Sequence, residues 1–120
     1  MTSRSGRDER TAARSNDPTI LILTSLAAGE KHGYALMQDI EEFAGVRLGP
    51  GTLYGAIARL EDRGLIEPVG PVGRRRPYRL TAAGVEALHA ALDELNSIVR
   101  AATARLAKRP GWAAPQGGVS

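Results

Sequence analysis

Cysteine is absent from all 120 residues, so a disulfide framework, a thiolate metal site and thiol chemistry are excluded. Aromatic residues are few: three Tyr, one Phe and one Trp, with none between Tyr78 and Trp112. A pocket that stacks flat aromatic ligands is therefore not expected in the last third of the chain, and any pocket there would be aliphatic or would use the tail. No apolar run approaches the roughly 18 residues of a membrane span, and the opening MTSRSGRDER has no apolar segment. The expectation is a cytoplasmic chain with neither a span nor a signal peptide. Catalytic signatures are missing as well: there is no GxxxxGK[ST] phosphate loop, no GxSxG elbow and no HExxH helix. The two histidines, His32 and His89, fall on different predicted helices without a neighbouring nucleophile. A metal would need carboxylate ligands. No enzyme and no cofactor is expected.

What the chain does have is charge unevenly placed. The net charge is +3, yet residues 17 to 44 set only Lys31 against Asp17, Glu30, Asp39, Glu41 and Glu42. Residues 45 to 80 carry seven Arg against Glu61, Asp62 and Glu67. Positive charge gathered in one segment is a stronger nucleic-acid signal than the total. By length the chain is a single domain with a modest core, near the size at which a partner chain helps.

That basic segment contains the stretch that organises the rest, GPGTLYGAIARLEDRGLI from Gly49 to Ile66. Pro50 and Gly51 open a helix, and Leu53, Ile57 and Leu60 repeat at i, i+4 and i+7, the stripe of a helix facing a core. Thr52, Gly55, Arg59 and Asp62 occupy the other face, bare at its start and suited to close approach to a surface. Gly64 closes the helix. Two helices are predicted before it. Asp17-Pro18 caps the first, over Thr19 to Ala28, which is apolar on nearly all sides. The second follows His32-Gly33-Tyr34 to about Ala44, with Leu36, Ile40 and Phe43 inward. This is helix-turn-helix order.

A β-wing is expected next: Leu65 to Val69, a turn at Gly70 to Gly73, and a return strand from Arg74 to Leu80. Arg74, Arg75, Arg76 and Arg79 load it with guanidinium groups able to lie along phosphates. Exposed edges also carry charge simply to resist aggregation. Thr81 then caps a final helix to about Arg109. In it Val85, Leu88, Leu92, Leu95, Val99, Ala102 and Leu106 alternate at spacings of three and four, a heptad seam over three repeats. A helix of about 42 Å is too long for three short helices to cover, so a second copy is expected on the seam. Packing on the first helix of the same chain is the alternative. Residues 1 to 16 and 110 to 120, the latter with Trp112, lack apolar periodicity and are expected to be flexible tails; the arginines of the first could trail on DNA.

The elements His32-Gly33-Tyr34, Gly51-Thr52-Leu53-Tyr54, Leu60-Glu61-Asp62-Arg63-Gly64-Leu65-Ile66, Gly73 to Thr81 and Ala83-Gly84 together resemble the PadR family of bacterial transcriptional regulators, over about Thr19 to Leu106. The single C-terminal helix is similar to that of the smaller subfamily. The resemblance implies a winged helix-turn-helix homodimer that binds an operator of inverted symmetry and represses transcription. It also implies that Tyr34, Thr52 and Tyr54 contact phosphates or the groove. Gly49 and Gly55 depart from the Ser and Pro common at those positions in the family, which bears on base preference.

The fold class read from the sequence is thus mainly α (α+β), with a flexible basic tail at 1–16, a winged helix-turn-helix DNA-binding domain at 17–80, a long dimerisation helix at 81–109 and a tail at 110–120. Tyr34, Gly51, Thr52, Tyr54, Arg59, Arg74, Arg75 and Arg76 are the candidate DNA contacts. The expected partners are double-stranded DNA and a second copy, with a small-molecule effector left open and no membrane. The competing reading is a ligand-sensing or protein-docking winged-helix dimer whose DNA contact is incidental. The basic wing beside the third helix separates the two, since a protein-docking surface has no particular need of it.

Overall fold

Asp17 starts the fold: its carboxylate accepts from the Thr19 N–H at 2.9 Å and from the Thr19 hydroxyl at 2.8 Å, while Pro18 stands at the first helical position. The computed structural model describes residues 17–70 and 76–111. Helix α1 runs Pro18–Ala27, α2 Gly33–Ala44 and α3 Pro50–Asp62. A two-stranded antiparallel sheet follows, β1 Ile66–Pro68 and β2 Tyr78–Leu80, and then α4, Ala82–Ala107. The outcome is the expected one: a mainly helical chain with a small wing.

The three short helices share one aliphatic core. Leu21, Ile22 and Leu26 of α1, Leu36 and Ile40 of α2, and Leu53, Ala56, Ile57 and Leu60 of α3 are all buried, and Ile66 of β1 closes it. Phe43, expected to face inward, is instead 47% exposed. The buried face of α2 is made by Gly33, Leu36 and Ile40 with Met37 and Ala44 packed beside them, a face centred to one side of Leu36, and Phe43 falls on the opposite side of Leu36, at the edge of that face. One polar side chain is sealed inside. Ser25, 1% exposed, donates to Asp39 at 2.6 Å, and the Lys31 ammonium caps the Ser25 carbonyl at 2.5 Å. The network satisfies its own polar groups and ties α1 to α2, as burial demands.

Gly45 and Gly64 end α2 and the α3 turn at φ 69° and 75°, the left-handed conformation that a Cβ disfavours. The sheet pairs Ile66 with Leu80 and Pro68 with Tyr78. Both strands are shorter than expected: Val69 N–H donates to the Pro77 carbonyl at 2.8 Å, and Pro77 has no N–H to return the bond, so the ladder ends there. Lys31 adds an edge that the sequence did not announce, exchanging both backbone bonds with Tyr78 at 3.2 and 2.9 Å.

The junction into α4 is tight. Thr81 donates its hydroxyl to the Gly64 carbonyl at 2.6 Å, and the same oxygen accepts from the Gly84 N–H at 3.0 Å. Gly84 is buried against the Leu65 backbone: a Cβ there would collide with the Leu65 carbonyl oxygen and sit 3.0 Å from its carbon. The chain divides into two compact units between His89 and Ala90. The first contains α1 to α3, the wing and the opening turns of α4, where Ala87 and Leu88 pack against the core. The second is the remainder of α4, on which Leu92, Ile98, Val99 and Leu106 are 43 to 58% exposed.

Candidate nucleic-acid interface

Burial of Leu53, Ala56, Ile57 and Leu60 fixes which way α3 faces. Gly51, Thr52, Ala58, Arg59 and Asp62 are left exposed, and Tyr54 is half exposed at 49%. Gly49 caps α3 through its carbonyl, which accepts from Leu53 N–H at 2.9 Å, and supplies no side-chain bond. The helix therefore begins with a bare end, Gly49-Pro50-Gly51, where a surface can approach its backbone closely. Further along, the Arg59 guanidinium reaches back over Gly55, its Nη1 lying 3.7 Å from where a Cβ on that glycine would be. Helical side chains lean toward the N-terminus, and the missing side chain at position 55 leaves that path open.

The start of α2 adjoins the start of α3. His32 caps α2 by accepting from the Ala35 N–H through Nδ1 at 3.4 Å, a bond that requires this nitrogen to be unprotonated. Tyr34, in the first turn, is 60% exposed, with the Gln38 amide donating to its hydroxyl at 3.4 Å. Against the preceding residue, Gly33, lies the ring of Tyr54. Two tyrosines from two helices thus stand at one end of the helix-turn-helix pair, both open to solvent.

The basic segment is less free than the sequence implied. Arg79 does not stand out from the wing as an open cation; its guanidinium is 2.7 Å from Glu67 and 3.9 Å from Glu30. The hydrogen bond to Glu67, then the charges of Glu67 and Glu30, hold Arg79 above the ordinary arginine range despite a small opposing effect of burial. Its neighbours explain this: Glu67 is its partner across the ladder, a standard cross-strand charge pair. Arg47, before α3, is likewise bound to Glu41 at 2.8 Å and shifted upward by that hydrogen bond and charge. Arg76 is described and half-buried. Arg74 and Arg75 lie outside the described residues, as do the N-terminal arm and Trp112.

Of the seam, Val85, Leu92, Val99, Ala102 and Leu106 are exposed, Leu95 is half-buried, and Leu88 packs against the core of the first unit. Ile98, 55% exposed, falls outside the heptad positions and was missed for that reason. Gly33 was also missed as part of the site, because a glycine at a helix start reads as a cap rather than as a platform for another helix. Among the described residues no cluster of metal-ligating side chains occurs, and no helix is long and apolar enough to cross a membrane.

Comparison with known proteins fits this geometry. Residues 22–90 match the transcriptional regulator PadR-like family. The chain is 45% identical over 80 residues to the transcriptional regulator Rv3488 of Mycobacterium tuberculosis, covering 62% of this chain and 74% of that one. It is 53% identical over 75 residues to an uncharacterized 37.1 kDa protein in transposon TN4556 of Streptomyces fradiae, covering 62% of this chain but spanning only 22% of that relative's length. Among solved structures it resembles a PadR family transcription regulator from Clostridium difficile R20291, at 29% identity and a TM-score of 0.66, covering 74% of this chain and 97% of that one. The matched family, the mycobacterial relative and the clostridial structure are transcriptional regulators. With a helix-turn-helix pair, a short wing and a long final helix in the order that family uses, the chain belongs to the PadR-like family of transcriptional regulators.

Proposed function

We propose that the chain acts in the cytoplasm as a homodimer that binds double-stranded DNA at an operator of inverted symmetry and represses transcription there. The supporting observation is the outward face of α3: four residues of the helix are buried, and Thr52, Tyr54 and Arg59 are among those left exposed to meet a partner. At 13 residues the helix is about 20 Å long, which fits the major groove of B-form DNA.

On this reading Thr52 and Arg59 approach base edges, and Gly51 lets the backbone come close to the duplex. The hydroxyls of Tyr34 and Tyr54 donate to phosphates, and Arg74, Arg75 and Arg76 of the wing lie along the adjoining backbone. Phosphate contacts fix register and base contacts fix sequence. Residues 17–80 form the DNA-reading domain, residues 81–109 form the dimerisation helix, and residues 1–16 and 110–120 are tails. Pairing of two copies through Val85, Leu92, Leu95, Val99, Ala102 and Leu106 removes the exposed apolar stripe from water, with Leu88, packed on the core of its own chain, at its edge. A two-fold protein would then read a two-fold site.

Fluorescence anisotropy of the full chain tests this, using its own upstream intergenic duplex and a scrambled duplex, each at low and near-physiological salt. Tight binding that survives salt only on the intergenic duplex is expected. Equal, salt-sensitive binding to both duplexes would remove the specific-regulator reading for that DNA and favour a protein partner for the α3 face.

A further inference from the structure

We infer that Gly33 is a positioning residue for DNA binding, and that it acts by leaving the start of α2 bare so that the Tyr54 ring can lie on it. This rests on the DNA-binding reading above and names a coupling inside that site. Three observations carry it. Gly33 is buried although it opens a helix on the molecule's surface. Its φ is not positive, so its backbone makes no demand that alanine could not meet. Yet a Cβ at this position would collide with the Tyr54 hydroxyl and stand 2.7 Å from Tyr54 Cζ and 3.1 Å from Cε1. The glycine is needed for the space above it.

The consequence concerns where the Tyr54 hydroxyl points. Tyr54 leaves α3 beside buried Leu53 and is half exposed, so the α3 backbone alone does not fix its ring. Contact with Gly33 does, holding the hydroxyl at the first turn of α2, next in sequence to Tyr34. Two phenol groups from two helices are then fixed relative to each other, which is what simultaneous contact with one phosphate backbone requires. A side chain at position 33 would swing the Tyr54 ring away and lose that register while leaving both hydroxyls in place.

The test is a double-mutant cycle on the full chain with Gly33→Ala, Tyr54→Ala and both together. It is read by anisotropy on a scrambled duplex at low salt and by thermal unfolding. Gly33→Ala is expected to weaken binding about tenfold or more, the scale of a hydrogen bond to a charged group. Tyr54→Ala should do the same, and the double variant should be no weaker than Tyr54→Ala alone. Additive losses, or full affinity in Gly33→Ala, would overturn the inference. If Gly33→Ala does not fold, the double variant must fold, because the collision is gone; a double variant that is equally unfolded also overturns it. Should the wild-type chain bind neither duplex, the DNA reading fails by itself, and the unfolding half of the cycle still decides whether Tyr54 is what Gly33 makes room for.

Discussion

Single atoms decide three positions, and at two of them an added methyl has opposite effects. Gly84 faces backbone that cannot move, the Leu65 carbonyl, so Gly84→Ala should cost about 1–3 kcal/mol, as overpacking does, and lower the thermal midpoint measured by circular dichroism. Gly55 faces only the mobile end of Arg59, at 3.7 Å. Gly55→Ala should therefore stabilise the protein in urea unfolding by about 0.5–1 kcal/mol, the helical penalty of glycine. If it destabilises instead, the Arg59 path over that glycine is tighter than 3.7 Å implies. Arg79 shows how a residue type misleads. Four arginines near a wing read as phosphate ligands, but only the register of β1 against β2 reveals that Arg79 faces Glu67.

At the scale of elements, α3 was legible nearly residue by residue. The stripe of Leu53, Ile57 and Leu60 is buried as its spacing dictates, and Gly64 terminates the segment at positive φ, since periodicity and glycine chemistry are local properties. The wing was legible in kind and not in extent. Its strands stop at Pro68 and begin after Pro77, and its third edge, Lys31, comes from a loop some 47 positions away, which no local pattern encodes. Arg74→Ala with Arg75→Ala should weaken binding to every sequence and flatten the dependence of log affinity on log salt. With up to four arginine–phosphate pairs removed per dimer, the slope should fall by roughly two to four. A slope equal to wild type would show that the wing arginines do not touch DNA.

For the whole molecule the decisive surface is the exposed apolar stripe of α4. Leu92, Val99 and Leu106 stand 43 to 58% exposed, costly for a chain that must remain single in water. Leu92→Asp with Leu95→Asp should give monomers in analytical ultracentrifugation and a loss of tight operator binding, because each half-site would then be held alone. A dimer that persists would place the association surface elsewhere. The opening turn of α4 is anchored through Thr81 and Gly84, both bonded or packed against Gly64-Leu65 just beyond α3. Thr81→Ala, which removes the cap, should destabilise by about 1 kcal/mol in urea unfolding. If the stability is unchanged, the hydroxyl's two bonds are replaced by water.

The order of helices, the buried face of α3, the helix ends and the family were set by the sequence alone, because each rests on residue spacing or on the conformational needs of glycine and proline. The tertiary structure decided which charges are already paired, why Phe43 lies outside while Ala44 lies in, and why two glycines with ordinary backbone angles are glycine at all. Those answers depend on what another element places within a few ångströms: Glu67 and Glu30 beside Arg79, the Tyr54 ring above Gly33, the Leu65 carbonyl against Gly84. Pairing and steric exclusion act between segments distant in the chain, so only the fold that brings those segments together could settle them.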